Sequence, residues 1–460
     1  MTSITFDDLG LIEPLRRAVA AEGYTTPTPI QANSIPSLLL GRDLLGLAQT
    51  GTGKTAAFAL PTLQRLQQNP HPRVPRSPRA LILTPTRELA VQVNESFATY
   101  GKQMQFRRAV IFGGVPQGPQ ATMLGRGVDI VVATPGRLLD LMGQRLITLD
   151  RVEIFVLDEA DRMLDMGFIH DVKKIAAVLP RRRQSLFFSA TMPPIVADLA
   201  NGLLTDPHRV EVNPTSSTVE RIEQRVLFVE KEDKDALLEE LLADGTIERA
   251  LIFTRTKHRA NRVVERLMKS KINADAIHGN KSQGARQRAL NNFAAGKSRV
   301  LVATDIAARG IDIDGITHVI NFELPNEPES YVHRIGRTAR AGADGIAISF
   351  CDREERFLLK AIERVIKTEV VLDDSHSFHS EAVANISVKG PGPKMNFRRG
   401  GGGGGDRNRG GRPPFKGNAP SRERNDGPGR PAGHAPVHRD GAGQPRREQR
   451  NRAGQSRRAI

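Results

Sequence analysis

The chain has 460 residues, enough at about 100–200 residues per domain for two to four folded units, and carries 67 Lys and Arg against 51 Asp and Glu for a formal charge of +16. The excess is concentrated: residues 390–460 hold 17 basic and 5 acidic side chains, a net +12, which leaves +4 for residues 1–389. The lone cysteine, Cys351, excludes an internal disulfide framework and a cluster of cysteine metal ligands, and no run reaches the roughly 18 apolar residues of a membrane span.

A soluble, unexported, cytoplasmic protein is expected, because the N-terminal MTSITFDDLG lacks a basic-then-apolar pattern. The basic balance points to a polyanionic partner. Nucleic acid fits better than a membrane surface, since no amphipathic helix accompanies the charge.

From Asp43 onward, apolar β-branched runs alternate with segments of helical spacing, the pattern of βαβ units and a parallel sheet, so the fold class is α/β. In the first half the predicted strands are 43–48, 80–86, 109–114, 129–135, 153–160 and 185–191, each ending in small, polar or charged residues. Ligands of open parallel sheets bind at those carboxyl ends. VNPTSST, at 212–218, reads as an interdomain linker. A second series follows at 224–230, 249–256, 274–279, 299–305, 317–324 and 345–352, with KDALLEELLA and RANRVVERLMK as amphipathic crossover helices. Cys351 ends the last of these strands and reads as a buried small hydrophobe. The expected organisation is a domain over 1–211, the linker 212–218, a second domain over 219–370, and a disordered basic tail over 371–460. No sequence repeat links the two halves, and the working site is expected in the cleft between them.

AQTGTGKT (Ala48, Gln49, Thr50, Gly51, Thr52, Gly53, Lys54, Thr55) lies between a strand and a helical segment, as a phosphate-binding loop requires. The glycines let backbone N–H groups turn toward phosphate oxygens, and the helix adds its positive end. Lys54 is placed to reach the β and γ phosphates, and the Thr55 hydroxyl to hold Mg²⁺. Ala48 stands where the general pattern begins with glycine. EIFVLDEAD puts Asp158 at a strand end, where a carboxylate of the magnesium shell is expected, with Glu159 beside it as base or orienter of the attacking water.

With these two motifs stand GYTTPTPIQ (23–31), PTRELA (85–90), GG (113–114), TPGR (134–137), SAT (189–191), LIFTRT (251–256), HGNKSQGAR (278–286), ATDIAARGID (303–312) and HRIGRTAR (333–340). In that order they resemble the DEAD-box RNA helicases over about residues 4–370. SQGARQRALNNFAAG and the Arg-Gly tail look most like the bacterial RhlE-like branch. The resemblance implies two tandem RecA-like domains and an RNA-stimulated ATPase that uses ATP and Mg²⁺ to open RNA duplexes locally or remodel RNA–protein particles. Ribosome precursors and the RNA-decay machinery are the partners it suggests.

Carried over by position, the resemblance assigns adenine recognition to Gln31 and aromatic base contacts to Tyr24 and Phe6, although read alone Phe6 is a core residue. Asp305 resembles the ribose-reading residue, and Gly310 belongs to its loop. Arg337 and Arg340, three apart and on one face if HRIGRTAR is helical, resemble the arginine fingers; without the phosphate loop the same segment reads as a solvated basic helix. Asp161, Ser189, Thr191 and His333 resemble the network that couples nucleotide state to closure. The positions matching RNA contacts are Pro85, Thr86, Arg87, Gly113, Gly114, Thr134, Pro135, Gly136 and Arg137 in the first domain. In the second they are Arg255, Gly279, Gln283, Arg286 and Thr304. Arg87 and Arg137 follow turns at strand ends, where a guanidinium can meet a phosphate without reading sequence; TPTR and TPGR are equally consistent with plain strand-terminating turns.

The tail's Arg-Gly composition suits nonspecific RNA tethering, with solubility or protein docking as its other uses. Two rival readings of the whole chain are an RNA-annealing chaperone with secondary ATP turnover and a DNA-directed motor.

Overall fold

The computed structural model describes residues 4–49, 51–212, 222–243, 245–308, 313, 315–339 and 344–386. The first sheet is built from β1 (Leu44–Leu47), β2 (Ala80–Leu83), β3 (Arg108–Ile111), β4 (Ile130–Ala133), β5 (Ile154–Leu157), β6 (Gln184–Ser189) and β7 (His208–Glu211), in the spatial order β3-β4-β2-β5-β6-β1-β7. Every pairing in it is parallel. The apolar runs ALIL, IVVA and IFVL are buried on both faces, as strands covered by helices on either side must be. Alternation then divides their side chains. Ile82, Val132 and Val156 pack in one core layer, and Leu81, Val131 and Phe155 in the other. A fully buried aromatic such as Phe155 contributes about 2–3 kcal/mol to this packing.

The second sheet comprises β8 (Ile222–Phe228), β9 (Ala250–Phe253), β10 (Ala274–Ile277), β11 (Val300–Ala303), β12 (His318–Asn321), β13 (Gly345–Cys351) and β14 (Val371–Leu372), ordered β10-β11-β9-β12-β13-β8-β14 and again parallel. Strand for strand this is the order of the first sheet. The halves are therefore a structural repeat that their sequences do not display. All twelve predicted strands form, as do the crossover helices Lys234–Ala243 and Lys257–Lys269. Cys351 is fully buried, and burial raises its thiol pKa.

Three expectations need correction or completion. First, β7 and β14 were not anticipated: His208–Glu211 buries only Val210 well, and both residues of β14 are exposed, so neither edge strand carries an apolar run. Second, residues 371–386 are not a disordered tail. β14 pairs with β8 in the place that β7 takes beside β1, the helix Glu381–Ala384 follows, and Val383 is fully buried. Arg356 lies over the Phe228 ring and donates to the carbonyls of Ala384 and Ile386, which fastens this strap. Third, HRIGRTAR is not one helix. The helix Pro328–Ile335 stops at Gly336, and turns made by Arg337 and Thr338 follow, so Arg337 lies beyond the helix. Most of the expected linker (213–218) and the tail from 387 onward lie outside the described residues, as do Thr50, Gly310 and Arg340.

Candidate nucleotide and RNA site

The phosphate loop leaves β1 and enters the helix Lys54–Gln68 through two left-handed glycines, Gly51 (φ 83°) and Gly53 (φ 91°). Side chains rarely adopt that backbone. At Gly53 there is also no room: a Cβ would stand 2.5 Å from Gln31 Nε2. Ala48 is buried and donates its N–H to Ser189 O on β6, which fixes the start of the loop. Thr52 closes it by donating to Gln49 O at 2.8 Å.

Gln31 is the third residue of the helix Pro29–Leu39, where its Oε1 accepts from Thr28 N at 2.9 Å in a capping box. Its Nε2 donates to Gly53 O at 3.1 Å. The residue expected at the adenine thus also grips the phosphate loop. Of the two aromatics expected at the base, Tyr24 is 46% exposed, whereas Phe6 is 6% exposed and is taken up by the first-domain core.

Lys54 is buried and donates to Ala48 O at 2.7 Å. Burial lowers its pKa, against the pull of Asp158, Glu159 and Asp161. Asp158, at the end of β5, is pushed up to about 7, chiefly by burial, with Lys54 opposing and Glu159 adding to the rise. Its Oδ1 has no hydrogen-bond partner although it is buried. A buried acid with an orphaned oxygen is a donor that a divalent cation would satisfy; Thr55, in the first turn of the helix Lys54–Gln68, is half-buried. Glu159 adopts the left-handed backbone at φ 53°, which a non-glycine residue holds at a cost of about 1 kcal/mol or more. That turn separates its direction from that of Asp158, and Arg162 Nη1 holds its Oε2 at 3.1 Å.

Asp161 collects the neighbouring motif. Its Oδ2 accepts from Thr191 N at 2.8 Å, Thr191 Oγ1 at 3.0 Å and Ala190 N at 3.2 Å, while Asp161 N donates to Ser189 Oγ at 3.2 Å. The second domain faces this network. A cleft of about 580 Å³ is lined by Lys54, Glu159 and Asp161 from the first domain and by Ser330, His333 and Gly336 from the second. An adjoining pocket brings Arg162 together with Asp305, His333, Arg334 and Arg337. Arg337 is buried, its Nε donating to His333 O at 3.1 Å.

Arg334, which sequence reading gave no role, holds Asp305 with two bonds of 2.6 and 2.8 Å. It also donates to Asn321 Oδ1 and Glu323 O and lies over the Phe253 ring. Asp305 begins the one-turn helix Asp305–Ala308, so this arginine anchors the segment expected to read the ribose. The signal available in sequence was an arginine one residue after His333, indistinguishable there from the other arginines of HRIGRTAR.

The expected RNA contacts lie at strand ends. Pro85 is buried, and Thr86 caps the helix Arg87–Tyr100. Arg87 lies against Gly114 (φ 80°), where any Cβ would overlap its guanidinium; Gly113 lies nearby. Thr134 precedes the helix Pro135–Gly143, which contains Gly136, without a capping bond from its side chain; Arg137 from this helix donates to Gln120 Oε1 and Val115 O. Across the cleft, Arg255 pairs with the fully buried Glu355 at 2.5 Å, Gly279 faces open space, and Thr304 follows β11 and is half-buried. Gln283 and Arg286 both reach Glu88 of the first domain, at 3.0 and 2.8 Å. Glu88 is a further residue that sequence reading missed.

Residues 28–199 match the DEAD/DEAH box helicase family, and residues 233–342 match the helicase conserved C-terminal domain. The chain is 44% identical over 370 residues to DEAD-box ATP-dependent RNA helicase CshA of Bacillus subtilis, covering 80% of this chain and 74% of that protein. It is 45% identical to ATP-dependent RNA helicase RhlB of Pseudomonas syringae pv. tomato, covering 79% and 93%. Among solved structures it resembles Saccharomyces cerevisiae Dbp5 bound to RNA and ADP BeF3, with a TM-score of 0.72, 34% identity, and coverage of 80% and 95%. With both family domains matched and identity of this extent across the folded chain, the protein belongs to the DEAD-box family of ATP-dependent RNA helicases.

Proposed function

We propose that the protein hydrolyses ATP in the interdomain cleft when RNA closes it, and uses that cycle to open short RNA duplexes or remodel RNA–protein particles. The observation that carries this reading is the division of the site. Gln49 and Lys54 of the phosphate loop and Glu159 line the cleft from one domain, with Asp158 buried beside Glu159, while the His333–Arg337 segment approaches from the other. Neither domain holds a complete set, so whatever favours closure should stimulate turnover.

Within that site Lys54 binds the β and γ phosphates, and Glu159 orients and deprotonates the attacking water. Arg337 and Arg340 offset the charge that develops on the transferred phosphoryl group. Thr55 and Asp158 would hold Mg²⁺, which supplies charge neutralisation at the phosphate oxygens. Gln31 and Tyr24 take the adenine, and Asp305 the ribose. Strand-end groups around Arg87, Arg137, Arg255 and Arg286 hold RNA by its backbone, which implies little sequence preference. A cytoplasmic location, the RhlE-like branch and a role in ribosome assembly or RNA turnover complete the proposal. No helix among the described residues is long and apolar enough to cross a membrane.

The test is ATP hydrolysis by the full chain with and without RNA, beside Glu159→Gln. RNA stimulation in the wild type, with turnover down at least about 100-fold but ATP binding retained in the variant, is expected. Turnover indifferent to RNA, or a variant as fast as the wild type, would sink the assignment. Unwinding that persists undiminished on long duplexes would count against local opening.

A further inference from the structure

Apart from Phe6, Tyr24 and Gln31, which precede β1, the nucleotide and RNA groups described above follow the carboxyl ends of strands. The opposite end of the first sheet carries a second concentration of charge. Arg73 and Arg76 precede β2, Arg107 precedes β3, Arg126 precedes β4 and Arg145 precedes β5, and all five are exposed. Hydrogen bonds bring these loops together. Arg107 Nη1 donates to Arg126 O at 3.2 Å, and Arg76 Nη1 to Arg145 O at 3.3 Å. Arg76 N donates to Leu124 O, and Arg73 donates to Gln105 O.

Little of this charge is neutralised. Asp129 is buried, and one of its oxygens takes both Arg73 Nε at 2.7 Å and Arg107 N at 2.8 Å. Asp150, also on these loops, accepts from Thr148 Oγ1 and Ser77 Oγ. The guanidinium groups of Arg76, Arg107, Arg126 and Arg145 meet no carboxylate among the described residues. Backbone strain is a second and independent observation. Arg76 (φ 63°) and Arg145 (φ 57°) both sit in the left-handed region, where glycine or asparagine would cost less. Each holds that backbone at a cost of about 1 kcal/mol or more, and strain of this kind concentrates at functional surfaces.

We propose that this amino-end face of the first domain, centred on Arg76, Arg107, Arg126 and Arg145, is an accessory binding surface for the phosphate backbone of RNA outside the strand held at the carboxyl ends. The inference rests on RNA being the substrate. Exposed guanidinium forks, those of Arg76 and Arg107 held by backbone carbonyls, suit phosphate oxygens in either single strands or duplex and need no base edge. RNA already held at the carboxyl ends presents its flanks at high effective concentration. The intervening strands of four residues span only about 13 Å, a separation that flanking RNA can bridge. The surface would favour long or structured RNA over short oligomers and add to the salt dependence of binding.

The experiment compares the full chain with its Arg107→Gln/Arg126→Gln/Arg145→Gln variant, measuring affinity for a ten-nucleotide RNA and for a long structured RNA across a KCl series. Each lost phosphate contact flattens the log–log salt slope by about 0.7, so the long-RNA slope should fall by about 2 and its affinity by about tenfold at low salt. Affinity for the short RNA and the ATPase it stimulates should stay at wild-type values. Arg126→Gln/Arg145→Gln is the folding control, because the loop bonds at these two residues use their carbonyl oxygens, and it should give about two-thirds of the slope change. Unchanged slope and affinity for the long RNA overturn the proposal and leave the face to another partner. Equal losses on both RNAs overturn it as well, since they would place the defect in the main RNA path. A wild-type ATPase indifferent to RNA would instead mark failure of the functional reading.

Discussion

Glu88 and Arg286 form an ion pair of 2.8 Å that joins the two domains, with both side chains nearly removed from solvent. The other Glu88 oxygen accepts from Gln283 at 3.0 Å, so one carboxylate holds two residues of the opposing domain. Both partners are also expected RNA contacts, so on the proposed function this bond would lie where strand binding and closure meet.

Breaking a buried pair leaves a charge without a partner, at a cost of about 3 kcal/mol in the state that contains it. Glu88→Ala should therefore raise the RNA concentration for half-maximal ATPase by about tenfold or more while sparing ATP binding. Glu88→Ala/Arg286→Ala should cost less than the sum of the single changes. If Glu88→Ala instead tightened RNA binding, Glu88 would be a competitor of RNA for Arg286 and not a clasp.

Arg334→Lys tests the anchoring of Asp305. Lysine keeps the charge but cannot reproduce the two-bond fork or the simultaneous contacts to Asn321 and Glu323. A loss of about 2 kcal/mol in the second domain, read by urea unfolding, is expected together with a raised KM for ATP. Wild-type stability and KM would show the fork to be dispensable.

His318 gives a pH dependence with a defined sign. Burial, with Arg225 and Arg299 adding to it, holds its pKa below the ordinary 6.5. The folded state therefore favours the neutral ring, and its stabilising contribution is present above pH 6.5 and is lost as pH falls through the depressed folded value. His278 is shifted in the same direction, chiefly by burial. His318→Gln should flatten, without abolishing, the decline in urea midpoint between pH 7.5 and 5. An unchanged pH profile in that variant would assign the decline to other groups.

Removing residues from 390 onward takes away a net +12. Weaker RNA binding with a shallower salt dependence should follow, while RNA-independent ATPase stays unchanged. An identical slope would leave solubility or protein docking as the use of this segment.

The strands, the phosphate loop and Asp158–Glu159 were legible because their information is local. Strands buried on both faces must be apolar along their length, and a phosphate loop needs its glycines and lysine at fixed spacing between a strand and a helix. The edge strands β7 and β14 lack that signal because pairing on one side replaces burial on both. Gln31 was legible as a candidate for the adenine, but its bond to Gly53 O was not, since 22 positions separate them.

What the sequence by itself determined, then, was the α/β class, the two-domain division of an ATP site, its family and the uneven placement of charge. Tertiary structure alone decided that the two halves repeat one strand order, that residues 371–386 complete the second sheet, and that Gly336 ends the helix before Arg337. It also decided the partners of Glu88 and Arg334, and the gathering of arginines at the amino ends of the first sheet. The reason is common to all of these. Each depends on groups brought together by sheet order across many positions, where an arginine that anchors a carboxylate and one that faces solvent are the same letter until the chain has folded.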